Sequence, residues 1–112
     1  MAVTSLNAFL NNTAILATTD TVLYTTPTAK STVVLNCQVA NINTASSVNT
    51  SFYISKNGTS NTDLVTNFAV PPNDAANILT GKLVLMANDS IVGSASANDQ
   101  LKVVISILES QL

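Results

Sequence analysis

Few side chains of this chain could catalyse a reaction. Its 112 residues contain no histidine, so the commonest general base and metal ligand of proteins is missing. Six acidic residues are the remaining candidates for paired-carboxylate chemistry: Asp20, Asp63, Asp74, Asp89, Asp99 and Glu109. Nearly all of them neighbour Asn, Thr or Ser at expected turns, where an Asp side chain commonly bonds nearby backbone amides. We therefore expect no catalytic residues, and we expect the protein not to be an enzyme.

The stretch "LTGKLVLMANDSIVGSAS" poses this question most directly, because Asp89 separates two apolar runs. A carboxylate at this position could either take part in catalysis or stabilise a turn of the backbone. Asn88 tolerates a left-handed conformation, and an Asp that follows it can close a tight turn. The sequence thus predicts a strand, a turn and a second strand, with Asp89 as a turn residue.

Other kinds of site have weak signals. Cys37 is the single cysteine and cannot form an internal disulfide, and its strand-like surroundings favour a small buried hydrophobe. An interchain disulfide or a reactive thiol remain as alternatives. The oxygen-rich stretches "NTDLVTN" and "PPNDAAN" lack the spacing of an EF-hand loop, and no Trp is present to form a sugar-binding platform. We expect no metal and no cofactor.

The composition favours a protein that works inside an assembly. Only 9% of the residues are charged, against about 25% in an average soluble protein, while 46% are hydrophobic. A surface of uncharged Ser, Thr and Asn has little repulsion to keep copies apart. Four scattered lysines and no arginine argue against nucleic acid. No run is long enough to cross a membrane, and the N-terminus lacks a basic signal-peptide region, so we expect synthesis in the cytoplasm.

The periodicity predicts an all-β fold, an antiparallel β-sandwich of the jelly-roll or Ig-like type. Runs rich in Val, Thr, Ile and aromatic residues recur every 8 to 12 residues or so, bounded by turn signals. The predicted strands are Thr21–Pro27, Ser31–Ile42, Val48–Ser55, Asp63–Pro71, Gly81–Ala87, Ser90–Ala97 and Leu101–Glu109. Asn57-Gly58 is a strong hairpin signal, and Pro71–Asn77 is predicted to be a rigid connection outside any strand.

The last of these runs has two different faces. Val103, Ile105 and Ile107 share one face, whereas the opposite face mixes Val104 and Leu108 with Lys102 and Ser106. A mixed face indicates partial covering, by a neighbouring sheet edge or by a second subunit.

The first dozen residues differ from the rest. Phe9 and Leu10 follow Leu6 by three and four residues, which allows a short helix capped by Thr4 or Ser5, and a loose arm is the alternative. We divide the chain into an N-terminal arm or short helix over residues 1–12 and a β-sandwich domain over residues 13–112. Leu6, Phe9 and Leu10 are the predicted assembly contacts.

The order of these motifs resembles small β-sandwich structural proteins of tailed bacteriophages, cyanophages among them. The similarity runs through "LYTTPTAKSTVVLNCQVANI", "FYIS" and "FAVPPNDAANILTGKLVLMANDSIVGSASANDQLKVVISILE", roughly residues 20 to 109. The matching positions are Gly81, Lys82, Val84, Leu85, Asp89, Ile91, Ser106, Ile107, Leu108 and Glu109. That group usually has Gly before the turn Asp, where this chain has Asn88. The matching residues are those of turns and of a core, so they mark a fold lineage more than a role.

The resemblance implies a virion component. On these grounds we expect a capsid decoration (cement) protein that binds the major capsid protein or other virion proteins as a homo-oligomer, with a trimer favoured. A neck or tail adaptor, or a receptor-facing appendage, is the first alternative. An Ig-like module that binds a glycan or a cell surface is the second, and it requires an exposed aromatic cluster.

Overall fold

A computed structural model describes residues 7–111 of the chain, and within that range the regular structure is entirely β. The strands are β1 (Asn7–Ile15), β2 (Thr21–Thr25), β3 (Lys30–Asn41), β4 (Val48–Lys56), β5 (Ser60–Val70), β6 (Ala75–Asn77), β7 (Leu83–Leu85), β8 (Ser90–Ala95) and β9 (Leu101–Gln111). The seven strands predicted from the sequence are all confirmed, with their ends moved by a few residues.

The strands form two antiparallel sheets that pack face to face. Sheet A has the order β1-β9-β3, with β6 and β7 both paired to the far side of β3, and sheet B has the order β2-β8-β4-β5. The chain can be described as one long antiparallel hairpin that is rolled up so that its successive strand pairs alternate between the two sheets. From the tip of this hairpin to its open end, the pairs are β4–β5, β3–β6/β7, β2–β8 and β1–β9. This order is that of a jelly roll, not of an Ig-like sandwich.

Two predictions about connecting segments are wrong. Residues 7–12 are neither a loose arm nor a helix, because they belong to β1 and pair in register with β9. The spacing of Leu6, Phe9 and Leu10 suggests a helix. Main-chain hydrogen bonds to β9 along the whole of β1 instead hold Phe9 and Leu10 in a strand. Residues 75–77 form β6, because Ala75 and Ala76 pair with β3 beyond the two prolines. Residues 1–6, with Leu6, lie outside the described residues.

The core lies between the sheets and is built around β9. Leu101, Val103, Ile105 and Ile107 point inward and are almost completely buried. Sheet B meets them with Phe52 and other apolar side chains. Burying a side chain of this size stabilises the fold by about 1.5–3 kcal/mol relative to its exposed state, so β9 contributes a large share of the core energy.

The turns follow the residue types that the sequence offers. Asn57 and Gly58 both have positive φ, at 51° and 71°, in the three-residue loop of the β4–β5 hairpin, as the Asn-Gly signal predicts. Asn88 also has positive φ, at 68°, so it takes the left-handed conformation expected before Asp89.

Asp89 is a structural residue whose hydrogen bonds hold the turn in place. Its backbone N–H donates to the carbonyl of Met86 at 3.0 Å, and its Oδ2 accepts from the backbone N–H of Met86 at 3.0 Å. The same oxygen accepts from Lys56 Nζ at 2.5 Å, which ties the turn before β8 to the end of β4. The carboxylate is buried. It closes the turn between β7 and β8, as predicted, and also holds that turn against the end of β4.

The ion pair sets the protonation of Asp89. Burial alone would raise the pKa of this carboxyl, but the hydrogen bonds from Lys56 and from the backbone amides of Met86 and Asn57 outweigh it. The pKa of Asp89 therefore lies below its usual value. A lowered pKa means that the folded state holds the charged form more tightly than the unfolded chain does.

We predict that Asp89→Asn lowers the free energy of unfolding at neutral pH by about 1 kcal/mol, towards the low end for a charged hydrogen bond because Lys56 is half exposed. The contribution is present in full above the ordinary carboxyl pKa of about 3.9, and it is lost as the pH falls through the lowered pKa. Urea titrations of both proteins from pH 7 to pH 2 measure this. The matched control is Asp63→Asn, which removes an exposed carboxylate of β5. A difference between wild type and Asp89→Asn that is the same at pH 2 and pH 7 would contradict the assignment.

A second prediction concerns Gly93 on β8, which pairs with Phe52 in the core. A Cβ at this position would lie 2.8 Å from Cε2 of the Phe52 ring, and the ring is buried and cannot move freely. Gly93→Ala should therefore destabilise the protein by about 1–3 kcal/mol through overpacking. Gly81→Ala is the control, because a Cβ there meets open space. Equal midpoints of urea unfolding for the two variants would show that the ring yields without cost.

Candidate assembly surface

One group of polar side chains, most of them buried, forms a network at an end of the sandwich. The Tyr24 hydroxyl donates to Oε2 of Glu109 and lies 3.0 Å from Oγ1 of Thr32, which accepts from Thr26 at 3.1 Å. Lys30 Nζ lies 3.3 Å from the other oxygen of Glu109. The network joins β2 and its following turn to β3 and β9, so its side chains satisfy one another inside the fold.

The protonation state of Tyr24 fits this structural role. Burial and the hydrogen bond to Glu109 raise the pKa of Tyr24 to about 12, although its bonds to Thr32 and Thr26 act in the opposite direction. The phenol therefore stays protonated and remains a donor at any ordinary pH. Glu109 is the acid that lies in a strand and faces the core, which the turn-based reading of the acids did not anticipate.

The other reactive groups are also engaged or scattered. Tyr53 donates to Oδ2 of Asp20 at 2.8 Å, and this hydrogen bond raises the pKa of the phenol. Within residues 7–111 there is no group of three or more His, Cys, Asp or Glu side chains that could hold a metal ion. No helix of the same range is long and apolar enough to span a membrane.

Cys37 is a core residue, as the sequence predicts. It lies on the inward face of β3, is completely buried, and has no disulfide partner. Burial raises the pKa of the thiol to about 12, so the thiolate that would react or bind metal is not formed at neutral pH.

The most distinctive surface feature is a line of apolar side chains across the outer face of sheet A. In antiparallel sheets, directly paired residues share a face and lie side by side. Phe9 of β1 pairs with Leu108 of β9. Leu108 pairs with Val33 of β3, and Val33 pairs with Val84 of β7. We call these four residues the apolar row.

The apolar row faces away from the core. Leu108 alternates with the buried inward residues of β9, so it and its partners point to the outside. The two ends are the most open, with Phe9 76% and Val84 59% exposed, whereas Val33 and Leu108 are half-buried. Leu108, from the mixed outer face of β9 noted in the sequence, lies in the middle of this row.

The rows beside it are polar and uncharged. One contains Asn7, Ser110 and Ser31, and the other contains Asn11, Ser106 and Asn36. A partner that covers the apolar row would therefore displace water from amides and hydroxyls and would not have to desolvate a charge in either flanking row.

The outer face of sheet B has a different chemistry. One of its rows consists of Thr25, Ser90, Ser55 and Asn61, and the Thr25 and Ser90 hydroxyls bond each other at 2.7 Å. The neighbouring row runs from Val22 through Val92 and Tyr53 to the carboxylate of Asp63. Sheet B thus presents mainly hydroxyls and amides, and sheet A presents the longer apolar line.

The structure places two of the predicted assembly residues at one edge of the sandwich. Phe9 and Leu10 are adjacent on the edge strand β1, with Phe9 on the outer face and Leu10 45% exposed at the inner side. Leu6 lies outside the described residues. Their part in assembly stays a prediction. The sequence analysis did not find Val33 and Val84, because only strand register brings them beside Phe9.

A smaller apolar depression lies at the opposite edge. Leu64, Val65 and Phe68 of β5 line it together with Ile78 from the segment after β6, and its volume is about 280 Å³. Phe68 and Phe9 are therefore on different sheets, at opposite edges, and the exposed aromatic rings do not form the cluster that a glycan-binding module requires.

Comparisons by sequence find no relatives. No family model matches the chain, and no curated protein matches it in sequence.

Comparisons by structure find the fold elsewhere. A chain of the acid-stable capsid of the Helicobacter pylori bacteriophage KHP30 superposes with a TM-score of 0.56 at 15% identity, over 96% of this chain and 90% of that one. A protein of Bacillus endospore appendages, which form disulfide-linked pili, gives 0.56 at 14% identity, over 96% and 88%. A chain of infectious bursal disease virus, Gx strain, gives 0.51 at 9% identity, over 92% and 32%. At these identities the likeness establishes a common fold, the jelly roll already evident from the strand order.

Proposed function

We propose that the protein is a non-enzymatic structural component of a virion, a capsid decoration (cement) protein that stabilises a phage head. The observation that carries the proposal is the apolar row across an outer face with uncharged flanking rows. Exposed apolar surface of this kind, rimmed by polar residues, marks protein–protein contact sites. The partner would be the major capsid protein or another virion protein, seated against the outer face of sheet A.

The structural likeness supports a small virion subunit. The KHP30 capsid chain is covered over nine-tenths of its length by nearly all of this chain, so the two are of similar size and each consists almost wholly of one jelly roll. The protein would be made in the host cytoplasm and would reside on the particle.

The energetics suit many weak contacts. A single exposed valine contributes on the order of 1 kcal/mol when it is covered, so one row alone gives modest affinity. On a particle, a homo-oligomer that touches several coat subunits at once gains from multivalency without any new type of contact. The trimer favoured by the sequence remains a prediction.

The equal likeness to the endospore appendage protein favours a second candidate, a subunit of an external appendage, and a neck or tail position belongs to the same alternative. The chemistry of Cys37 separates the two cases in part. A disulfide-linked filament needs accessible thiols, whereas the single cysteine of this sequence is completely buried. An appendage built from this chain would have to be held by contacts other than disulfides.

We predict that Val84→Lys weakens binding to the particle about tenfold or more, because it places an ammonium group at the exposed end of the apolar row. The measurement is cosedimentation of the purified protein with phage heads assembled without it, together with the thermal stability of the heads. Asn61→Lys is the matched control, because it adds the same charge on sheet B.

Immunogold labelling of complete particles locates the protein. Label spread over the head supports the decoration proposal, and label confined to the neck or tail supports the alternative. Binding that is lost in Asn61→Lys and kept in Val84→Lys would place the contact on sheet B and overturn the assignment of the face.

A further inference from the structure

We propose that two copies of the protein associate edge to edge through β1, in an antiparallel arrangement about a two-fold axis that passes beside Asn12. The contact would join sheet A of one copy to sheet A of the other as one continuous sheet. It differs from particle binding, which the proposed function assigns to the apolar row, and shares with it only Phe9 at the β1 end of that row. It needs no other virion protein.

The edge of β1 is open for pairing. Within residues 7–111, β1 pairs with β9 alone, so over residues 9–15 the main-chain groups on its other side have no strand partner among the described strands. The pairing with β9 runs over nine residues without a bulge, which keeps the edge straight. An open, regular edge is a template for another strand.

The strand also lacks the devices that protect natural edges. Exposed edge strands are usually blocked by a lysine, a proline, a bulge or extreme shortness. The segment Asn7–Ile15, "NAFLNNTAI", contains no charged residue and no proline. An uncharged strand can meet its own copy without like-charge repulsion, which favours a second copy over a charged partner.

The other edges are less suitable. β2 has five residues and a register shift between Val22 and Tyr24, while β6 and β7 have three residues each. β5 is long, but its ladder to β4 shifts twice and it carries Asp63. Among the described strands, β1 is the edge that an added strand can follow furthest.

The order of residues in β1 points to self-pairing in particular. From Phe9 to Ile15 the sequence "FLNNTAI" has two apolar residues, three polar residues and two apolar residues, so its pattern is the same from either end. An antiparallel pair centred on Asn12 sets Phe9 opposite Ile15 of the second copy. In the same register Leu10 faces Ala14, and Asn11 faces Thr13. A two-fold contact repeats each pair twice, as an isologous interface must.

The exposure of these side chains agrees with the register. Phe9 and Ile15 are both on the outer face of the sheet and are 76% and 50% exposed. Each would be covered by the other across the axis. The Asn12 side chain already donates to the carbonyl of Leu23 at 3.2 Å, which holds the centre of the strand against β2. Pairing would therefore require no rearrangement of the edge.

Two variants test both the contact and its register. Asn11→Lys combined with Thr13→Lys places lysines opposite each other on both sides of the axis, and it should weaken the dimer about tenfold or more. Asn11→Lys combined with Thr13→Glu places opposite charges across the axis and should keep the dimer. Both residues are exposed and pair with uncharged β9 residues, so the fold itself should tolerate either change.

The measurement is the mass of each purified protein by light scattering over a dilution series, with circular dichroism to verify the fold. We expect twice the chain mass for wild type and the Lys/Glu variant, and the mass of one chain for Lys/Lys at the same concentrations. Asn61→Lys with Ala69→Lys adds the same charge to exposed positions of β5 and should remain dimeric. A wild-type monomer at all concentrations, a trimer, or a Lys/Lys variant that stays dimeric would overturn the proposal. None of these outcomes depends on binding to a particle.

Discussion

The strict alternation of β9 is the constraint on which the rest of the structure depends. Side chains of a strand point to opposite faces with a period of two, so a slip by one residue would exchange the core face and the outer face. On one face of β9, the alternate residues Leu101, Val103, Ile105 and Ile107 point into the core. On the other face, Leu108 belongs to the apolar row. Glu109 pins the register, because its carboxylate has its partners only on the inside. The register of β9 with its neighbouring strands therefore determines both which residues form the core and which residues form the apolar row.

Much of this fold could be predicted from the sequence, because strands with one buried face alternate visibly. The elements that escaped prediction lack that pattern. β1 is exposed on most of its length, so its polar and apolar residues are not sorted by face. β6 is three residues long and exists because β3 offers it a ladder. Whether the strands are ordered as in a jelly roll or as in an Ig-like sandwich also depends on pairings between strands that are distant in sequence. Local periodicity carries no information on those pairings.

The candidate site was predictable in a narrower sense. The shortage of titratable side chains pointed away from chemistry, and the structure places the two most buried acids, Asp89 and Glu109, in structural bonds. The mixed face of β9 predicted partial covering, and Leu108 of that face lies in the apolar row, whose covering by a partner stays a proposal. The row itself could not be foreseen, because Phe9, Val33 and Val84 come together through three separate strand pairings. Position on a sheet surface is a property of register, and register is not encoded in any single segment.

Because Cys37 is completely buried, the rate at which a thiol reagent labels it can report how often the two sheets separate. The thiol lies on the inward face of β3 between the two sheets, so a reagent can reach it only when the sheets separate. Fraying of β1 or of the short edge strands would leave it covered. The rate of thiol labelling in plain buffer thus reports opening of the whole sandwich. If the sheets close faster than the reagent reacts, the rate reflects the equilibrium population of the open state. If the reagent reacts faster than the sheets close, the rate equals the rate of unfolding. A subunit held on a larger shell would carry the same reporter, and slower labelling there would measure how much the assembly restrains the opening of each domain.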